Sequence, residues 1–306
     1  MFLIISILWP IFLLLVLGAV AKASGFLSAR FWDEAEKGIY YGLFPALLIH
    51  RLWQADLQGI NLTQIGSIAF VVVGLMSLAM WAFKPWLKVS VPAFTSFFQG
   101  GVRFNTYIGL AITSLMFDAQ QVAITAVVVA CMVPLINVAC VVTFALTADA
   151  RFSFAAFFKQ LWQNPLIMGC VIGLLLNVLA IPPFAAVTDV LGLLAQCALP
   201  LGLLAVGAGL QFERRPAGEG INLWAMSLVV VLKLLILPLA FALAFKWLGV
   251  DERLMTAFVL FIALPTASSA YILARKLGGD AAAMAQIIMV QTLCAFLSLP
   301  LVLLWF

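Results

Sequence analysis

Apolar residues fill almost the whole chain in long runs, and short polar segments separate these runs. A helix needs about 20 mostly apolar residues to cross a bilayer. By that length the pattern predicts ten membrane spans, at residues 3–21, 38–54, 63–83, 92–117, 121–147, 163–180, 189–210, 222–247, 254–276 and 281–305. The sequence therefore predicts an all-α polytopic membrane protein that is embedded in a lipid bilayer.

The composition agrees with a membrane protein and argues against several classes of function. Of the 306 residues, 66% are hydrophobic and 9% are charged, whereas about a quarter of the residues of a soluble domain are charged. The net charge of +4 comes from scattered basic residues, so we expect no nucleic-acid partner. The five cysteines lie in apolar runs without metal-ligand spacing, and no HExxH, GxSxG or Walker-type motif occurs. We therefore expect no metal, no other cofactor and no enzymatic activity.

Lysine and arginine residues predict the orientation, because they are more frequent on the cytoplasmic side. With the N-terminus outside, three cations lie on the exterior, at Arg51, Lys246 and Arg253. Eleven lie in cytoplasmic loops or span ends: Lys22, Arg30, Lys37, Lys84, Lys88, Arg151, Lys159, Arg214, Arg215, Arg275 and Lys276. This bias predicts that both termini face the exterior.

The two halves of the chain share helix-shaping residues at a constant offset of 155. Three pairs show it: Pro10 and Pro165, Gly18 and Gly173, and Pro45 and Pro200. We interpret residues 1–150 and 151–306 as two five-helix repeats. Since five is odd, the second repeat must enter the membrane in the opposite direction, which is the inverted-repeat plan of many secondary transporters.

The fourth predicted span, 92–117, contains residues that interrupt a helix. Gly100 and Gly101 weaken it, and Asn105 and Thr106 are suited to cap a restarted helix. A break of this kind leaves backbone groups without their helical partners. In a membrane, such groups are tolerated only where protein or a water-filled cavity covers them.

The ninth predicted span, 254–276, is interrupted at the matching place in the second half. Pro265 removes a backbone donor and clashes with the preceding turn. Small and hydroxylic residues follow it: Thr266, Ala267, Ser268 and Ser269. Two broken spans in matching positions indicate a binding site in the middle of the membrane, where helix N-termini favour an anion. The alternative is a pair of ordinary kinks without a site.

Two cations lie inside predicted spans, and all twelve carboxylates lie in loops or at span ends. Arg103 has a planar fork that suits a carboxylate substrate, but it could equally bind backbone carbonyls. Lys233 is better suited to a structural or coupling role where the two broken spans cross. There it would take the place of a coupling cation. Gln291, in the last predicted span, could line the cavity of this predicted binding site.

Several segments resemble the auxin efflux carrier family, whose bacterial members include malonate-type carriers. Asn105, Thr106 and Gly109 are similar to the fourth span of that family. The Leu264–Pro265 pair, followed by Ala274 and Arg275, is similar to the ninth. The most specific segments are RFNTYIGLAI (103–112), NPLIMGCVIGLLLN (164–177), ALPLGLLAVGAGL (198–210), LKLLILP (232–238) and ALPTASSAYILARKLGGD (263–280).

The resemblance implies ten helices in two sub-bundles, as in the fold of auxin carriers and bile acid symporters. Helices 1, 2, 6 and 7 would form a scaffold that could also form a homodimer. Helices 3–5 and 8–10 would form a transport bundle, with broken helices 4 and 9 crossing, and the bundle would move like an elevator. The long loop of plant members is absent and glycines stand near their proline position, so a small organic acid anion fits better than auxin.

For a malonate-like carboxylate, the expected binding residues are Gly100, Gly101, Arg103, Asn105, Thr106, Pro265, Thr266, Ser268 and Ser269, with Lys233 and Gln291 supporting the crossing. A sodium-coupled organic anion symporter resembling the bile acid symporters is the alternative within transport. From other classes, a membrane receptor or an intramembrane enzyme remains open, although no nucleophile–base pair is recognisable in the sequence.

Overall fold

The structure is a computed structural model that describes residues 2–56, 61–147, 162–210 and 222–304. Every regular element within these ranges is helical: α1 (Phe2–Ala23), α2 (Ala29–Gly38), α3 (Phe44–Trp53), α4 (Leu62–Leu87), α5 (Val91–Val102), α6 (Thr106–Met116), α7 (Ala119–Thr147), α8 (Pro165–Val178), α9 (Ala185–Gly209), α10 (Leu223–Val231), α11 (Leu237–Trp247), α12 (Glu252–Ala263), α13 (Ser269–Leu277) and α14 (Ala281–Leu303). Two π-helical turns, Ile39–Leu43 and Leu232–Ile236, join α2 to α3 and α10 to α11.

Five described segments are long and apolar enough to cross a membrane: α4, α7, α9, α14 and the continuous α10–α11 unit. Shorter apolar helices lie at Leu8–Ala23 and Pro165–Val178. The predicted all-α polytopic class is therefore confirmed, while the number of ten spans stays a prediction. The boundary between the predicted repeats at 150 and 151 lies outside the described residues, as do Arg151, Lys159, Arg214 and Arg215 of the orientation prediction.

The hydrophobic pattern does not predict α2, because five of its ten residues are charged. Ser28 begins it by accepting a hydrogen bond from the Phe31 N–H. Trp32 packs inward while Phe31 is exposed. Such an amphipathic helix fits an interfacial position between two apolar helices.

Glycines bring α1 and α9 into backbone contact. A Cβ at Gly18 would collide with the Leu204 carbonyl, and a Cβ at Gly207 would collide with the Leu15 carbonyl. The two contacts are reciprocal, since each helix supplies one glycine and one carbonyl. Small residues at helix interfaces allow this close approach in membranes, where van der Waals packing drives association.

A second glycine interface joins α3 to α8. A Cβ at Gly169 would lie 2.9 Å from the Pro45 Cα, and one at Gly173 would lie 2.9 Å from the Leu52 Cβ. The helix α3 also packs against α9, so α1, α3, α8 and α9 form one group. The remaining helices α4–α7 and α10–α14 form a second group around a core of buried phenylalanines.

An ion pair within the second group links the start of α7 to the first turn of α12. Asp118, just before α7, accepts hydrogen bonds from both terminal nitrogens of Arg253 at 2.8 and 2.9 Å. The Gln121 side chain donates to the Arg253 carbonyl at 2.9 Å. The Arg253 hydrogen bonds, followed by that from the Gln121 backbone, lower the pKa of the Asp118 carboxyl to about 2.

We predict that Gly207→Ala destabilises the protein by about 1–3 kcal/mol, because the new methyl group must push α1 and α9 apart. Melting temperatures in detergent measure the effect. Gly74→Ala in α4 is the matched control, since nothing lies within 4 Å of its Cβ position. A Gly207→Ala protein as stable as Gly74→Ala would contradict the backbone contact.

The Asp118–Arg253 pair predicts a pH dependence in acid. Because the folded-state pKa is below the ordinary value of about 3.9, its stabilisation is present above pH 4 and is lost as the pH falls towards 2. The loss is small, since both side chains are largely exposed. The melting temperature of Asp118→Asn should therefore fall less between pH 5 and 2 than that of the wild type. Glu252→Gln, which removes another carboxylate near the start of α12, should behave like the wild type.

Candidate functional site

The chain leaves helical conformation between α5 and α6, as the sequence predicts. Arg103 and Asn105 adopt extended conformations with φ/ψ of −77°/155° and −87°/101°. Asn105 is the N-cap of α6, and Thr106 is the first helical residue. The predicted capping by Asn105 is confirmed.

The two glycines that are predicted to weaken this span lie in the last turn of α5, just before the break. Gly100 and Gly101 belong to α5, and the interruption follows them. Their small size serves packing instead: a Cβ at Gly100 would lie 2.7 Å from Ile287 Cγ2, and one at Gly101 would collide with the Met80 side chain. Since Gly101 faces Met80 in α4, its predicted place among the binding residues finds no support in this geometry.

The second break lies between α12 and α13, at the predicted proline. The helix α12 ends at Ala263, Leu264 is extended, and α13 begins at Ser269. Ser268 occupies the position before α13 and makes no side-chain cap hydrogen bond. The predicted interruption of this span is confirmed.

The two breaks meet through a backbone hydrogen bond. The Asn105 N–H donates to the Pro265 carbonyl at 2.8 Å. The Asn105 Oδ1 accepts from the N–H groups of Tyr107 at 3.1 Å and Ile108 at 3.3 Å. One asparagine therefore joins the two interrupted helices and caps the restarted one.

A third helix satisfies the remaining polar groups of the crossing. Gln291 of α14 donates from Nε2 to the Gly100 carbonyl at 2.9 Å, and its Oε1 accepts from the Thr266 N–H at 2.9 Å. The Thr266 hydroxyl lies 2.7 Å from Gln291 Oε1 and 3.0 Å from the Gly100 carbonyl. Both side chains are fully buried. Gln291 thus bridges the end of α5 to the break after α12.

Arg103 lies half-buried in the first break with donors to spare. Its Nη2 lies 3.4 Å from the hydroxyl of Ser269, which is exposed. Its Nη1 is buried and has no hydrogen-bond partner among the described residues. The Cys140 thiol and Tyr40 lie within electrostatic range of the guanidinium. The spare nitrogen can therefore bind a further acceptor.

The structure brings most of the predicted residues together: Gly100, Arg103, Asn105, Thr106, Pro265, Thr266, Ser268, Ser269 and Gln291 belong to the two breaks or to their contacts. Lys233 is different. It lies fully buried in the second π-helical turn, and its Nζ makes no hydrogen bond within the described ranges. The structural or coupling role of Lys233 at the crossing therefore stays a prediction.

Sequence reasoning missed aromatic and acidic neighbours of the site. The Tyr107 ring stacks on Phe44 of α3, with centroids 4.2 Å apart and planes inclined by 18°. Glu36 of α2 lies half-buried within electrostatic range of Tyr107, and burial, followed by repulsion from Asp33, raises the pKa of the Glu36 carboxyl. No sequence signal identifies these residues, because they come from separate helices.

The electrostatics of the crossing favour a negative ligand. The N-termini of α6 and α13 both begin at the breaks, and each carries about half a positive charge. Arg103 adds a full positive charge between them. The crossing can therefore bind and orient an anion through hydroxyl, amide and guanidinium donors.

A cavity of about 810 Å³ runs beside the C-terminal half of α6. Its lining is mostly apolar and comes from α1, α3, α6 and α9. His50 and Arg51 of α3 supply polar groups, and both carry a buried nitrogen without a partner in the described part of the chain. Neither Arg103 nor Asn105 lines this cavity, so it lies next to the crossing along α6.

We predict that Gln291→Leu destabilises the protein by about 1–3 kcal/mol for each buried group left unsatisfied. The Gly100 carbonyl and the Thr266 N–H would both lose a partner. Gln286→Leu on the same helix is the control, because Gln286 Oε1 has no partner among the described residues. Equal melting temperatures for the two variants would contradict the bridging role.

Comparison with known proteins identifies the family of the chain. A search of curated proteins found no match. A family model described as "Membrane transport protein" matches residues 3–303, which is nearly the whole chain. This is a family of transporters, which fits the expectation that the protein is not an enzyme. The chain therefore belongs to the membrane transport protein family, which is the auxin efflux carrier family of transporters.

Proposed function

We propose that this membrane transporter is a secondary carrier for a small organic acid anion, such as a malonate-like carboxylate, and that the crossing of the two broken helices binds it. The observation that carries the proposal is the buried Arg103 Nη1, which has no hydrogen-bond partner in the described part of the chain. A guanidinium nitrogen in such a position favours a carboxylate, which accepts two parallel hydrogen bonds.

Each polar residue of the crossing has a distinct role in this proposal. Asn105 uses its Oδ1 to cap α6, which leaves its Nδ2 to donate to the substrate. The hydroxyl groups of Thr106, Ser268 and Ser269 lie at the starts of α6 and α13 and supply further donors. Thr266 and Gln291 hold the backbone and do not contact the substrate.

The movement we propose is an elevator-type displacement between two helix groups. The α1, α3, α8 and α9 group is the scaffold, and α4–α7 with α10–α14 is the transport bundle. The inverted repeat is supported by Gly18 and Gly173, 155 residues apart, which both make close interhelical contacts. The cavity along α6 is then the exterior approach to the site. A homodimer through the scaffold and a location in the inner membrane with both termini periplasmic complete the proposal.

A sodium-coupled symporter is the alternative within transport. Sodium needs oxygen ligands, whereas the crossing offers the cation Arg103 and two positive helix ends. Uptake that continues when choline replaces sodium would exclude this alternative. A receptor or intramembrane enzyme receives no support from the family, whose members are transporters.

We predict that Asn105→Asp abolishes stabilisation by a carboxylate ligand without unfolding the protein. Aspartate is as good an N-cap as asparagine, but its charge repels the anion. In a thermal-shift screen of mono- and dicarboxylates, the ligand that binds should stabilise the wild type by about 2.7 kcal/mol at a hundredfold excess over its Kd. It should leave Asn105→Asp unshifted.

Asn164→Asp is the matched control for this screen. Asn164 begins α8 with the same geometry, and its Oδ1 accepts from the Leu166 and Ile167 N–H groups at 3.0 and 3.3 Å. It lies away from the crossing and should keep the full ligand shift. If a carboxylate stabilised Asn105→Asp and Asn164→Asp equally, the crossing would not be its site.

A further inference from the structure

Lys233 is a buried cation that the proposed transport site does not use. Its side chain is 0% exposed, and its Nζ has no hydrogen-bond partner among the described residues. It lies in the π-helical turn Leu232–Ile236. Such turns insert an extra residue into a helix and are frequent at functional sites.

Among the described residues, the helices that surround Lys233 carry carboxylates only at their ends. The π-helical turn packs against α5, α12 and α14, and no described residue of α5 is ionisable. The ionisable residues of the other adjoining helices are Lys246 near the end of α11, Glu252 and Arg253 in the first turn of α12, and Cys294 together with the capping Asp280 on α14. The carboxylates among them all lie at helix ends.

An ammonium group without water or a partner costs several kcal/mol in a protein interior. A buried group in this situation loses its charge instead. The amine of Lys233 can do so by releasing its proton to water, whereas the guanidinium of Arg103 always keeps its charge. The two mid-membrane cations therefore differ in what burial does to them.

We propose that Lys233 is a proton-binding switch of the helix crossing. Its amine is unprotonated in the conformation described, and it accepts a proton from water only when the surrounding helices separate. Protonation then favours the separated arrangement, because the charged form needs water or an anion beside it. No covalent bond forms or breaks in this step.

The packing connects this switch to the crossing. The helices around Lys233 carry Gly100, the end of α12 and Gln291, which are parts of the two breaks. Val229, one turn before Lys233, lies 3.6 Å from the Cβ position of Gly100. Separation at Lys233 would therefore loosen the Gly100–Gln291 contact. Coupling between this proton and anion transport would rest on the proposed function. The protonation switch itself does not rest on it.

Melting temperatures of ligand-free protein between pH 6 and 9.5 test the protonation state. The unfolded chain binds a proton at Lys233 up to about pH 10.4 while the native state does not, so wild-type stability rises with pH. Relative to Lys233→Met, the wild-type unfolding constant should fall by up to tenfold per pH unit. Lys246→Met, at the end of the same helical unit, should follow the wild type. Parallel curves for the wild type and Lys233→Met would overturn the proposal.

Hydrogen exchange of residues 97–106 and 263–269 tests the switch itself. After correction for the intrinsic pH dependence of exchange, lowering the pH from 9 to 6 should speed exchange in the wild type and in Lys246→Met. It should leave Lys233→Met unchanged, with Lys233→Gln as a second uncharged variant should the first fail to fold. A pH-independent wild type would overturn the proposal. Both measurements use no carboxylate, so their outcome is separate from that of the ligand screen.

Discussion

The fold depends on satisfying the backbone groups of two helices that are interrupted among apolar neighbours. In a bilayer each unsatisfied group costs several kcal/mol, so the interruptions persist only because they complete each other. The Asn105 N–H finds the Pro265 carbonyl, and Gln291 joins the Gly100 carbonyl to the Thr266 N–H. The same pairing fixes the positions of the two helix N-termini and of Arg103. The proposed binding surface is therefore a direct result of how the backbone is satisfied.

The sequence predicted the fold class and both interruptions, because long apolar runs, a mid-span proline and an asparagine cap are local signals. It did not show what the glycines before the first interruption do, since a glycine signals both flexibility and small size. Only the structure shows that Gly100 and Gly101 make room for Ile287 and Met80. The stacking of Tyr107 on Phe44 and the bridge through Gln291 depend on contacts between distant spans, and no single span contains that information.

The two cations inside the membrane helices occupy contrasting environments. Arg103 is half-buried beside an exposed serine, whereas Lys233 is sealed among apolar helices. A permanent charge suits the first environment if an anion binds there, as proposed, because the anion would neutralise it. A titratable amine suits the second, because it can exist there without charge. The arginine and the lysine therefore could not exchange places without loss.

The contacts of the two helix groups differ in kind. Within the first group, Gly18 and Gly207 lock α1 and α9 together through reciprocal contact with backbone carbonyls. Between the groups, α6 meets α3 largely through the flat Tyr107–Phe44 stack, and beside it lies an open cavity. Interlocked backbones resist sliding, whereas stacked rings glide over each other with little change in contact area. In the displacement proposed above, the two groups would part at this stack and cavity, whereas the glycine-locked helices would move as one body.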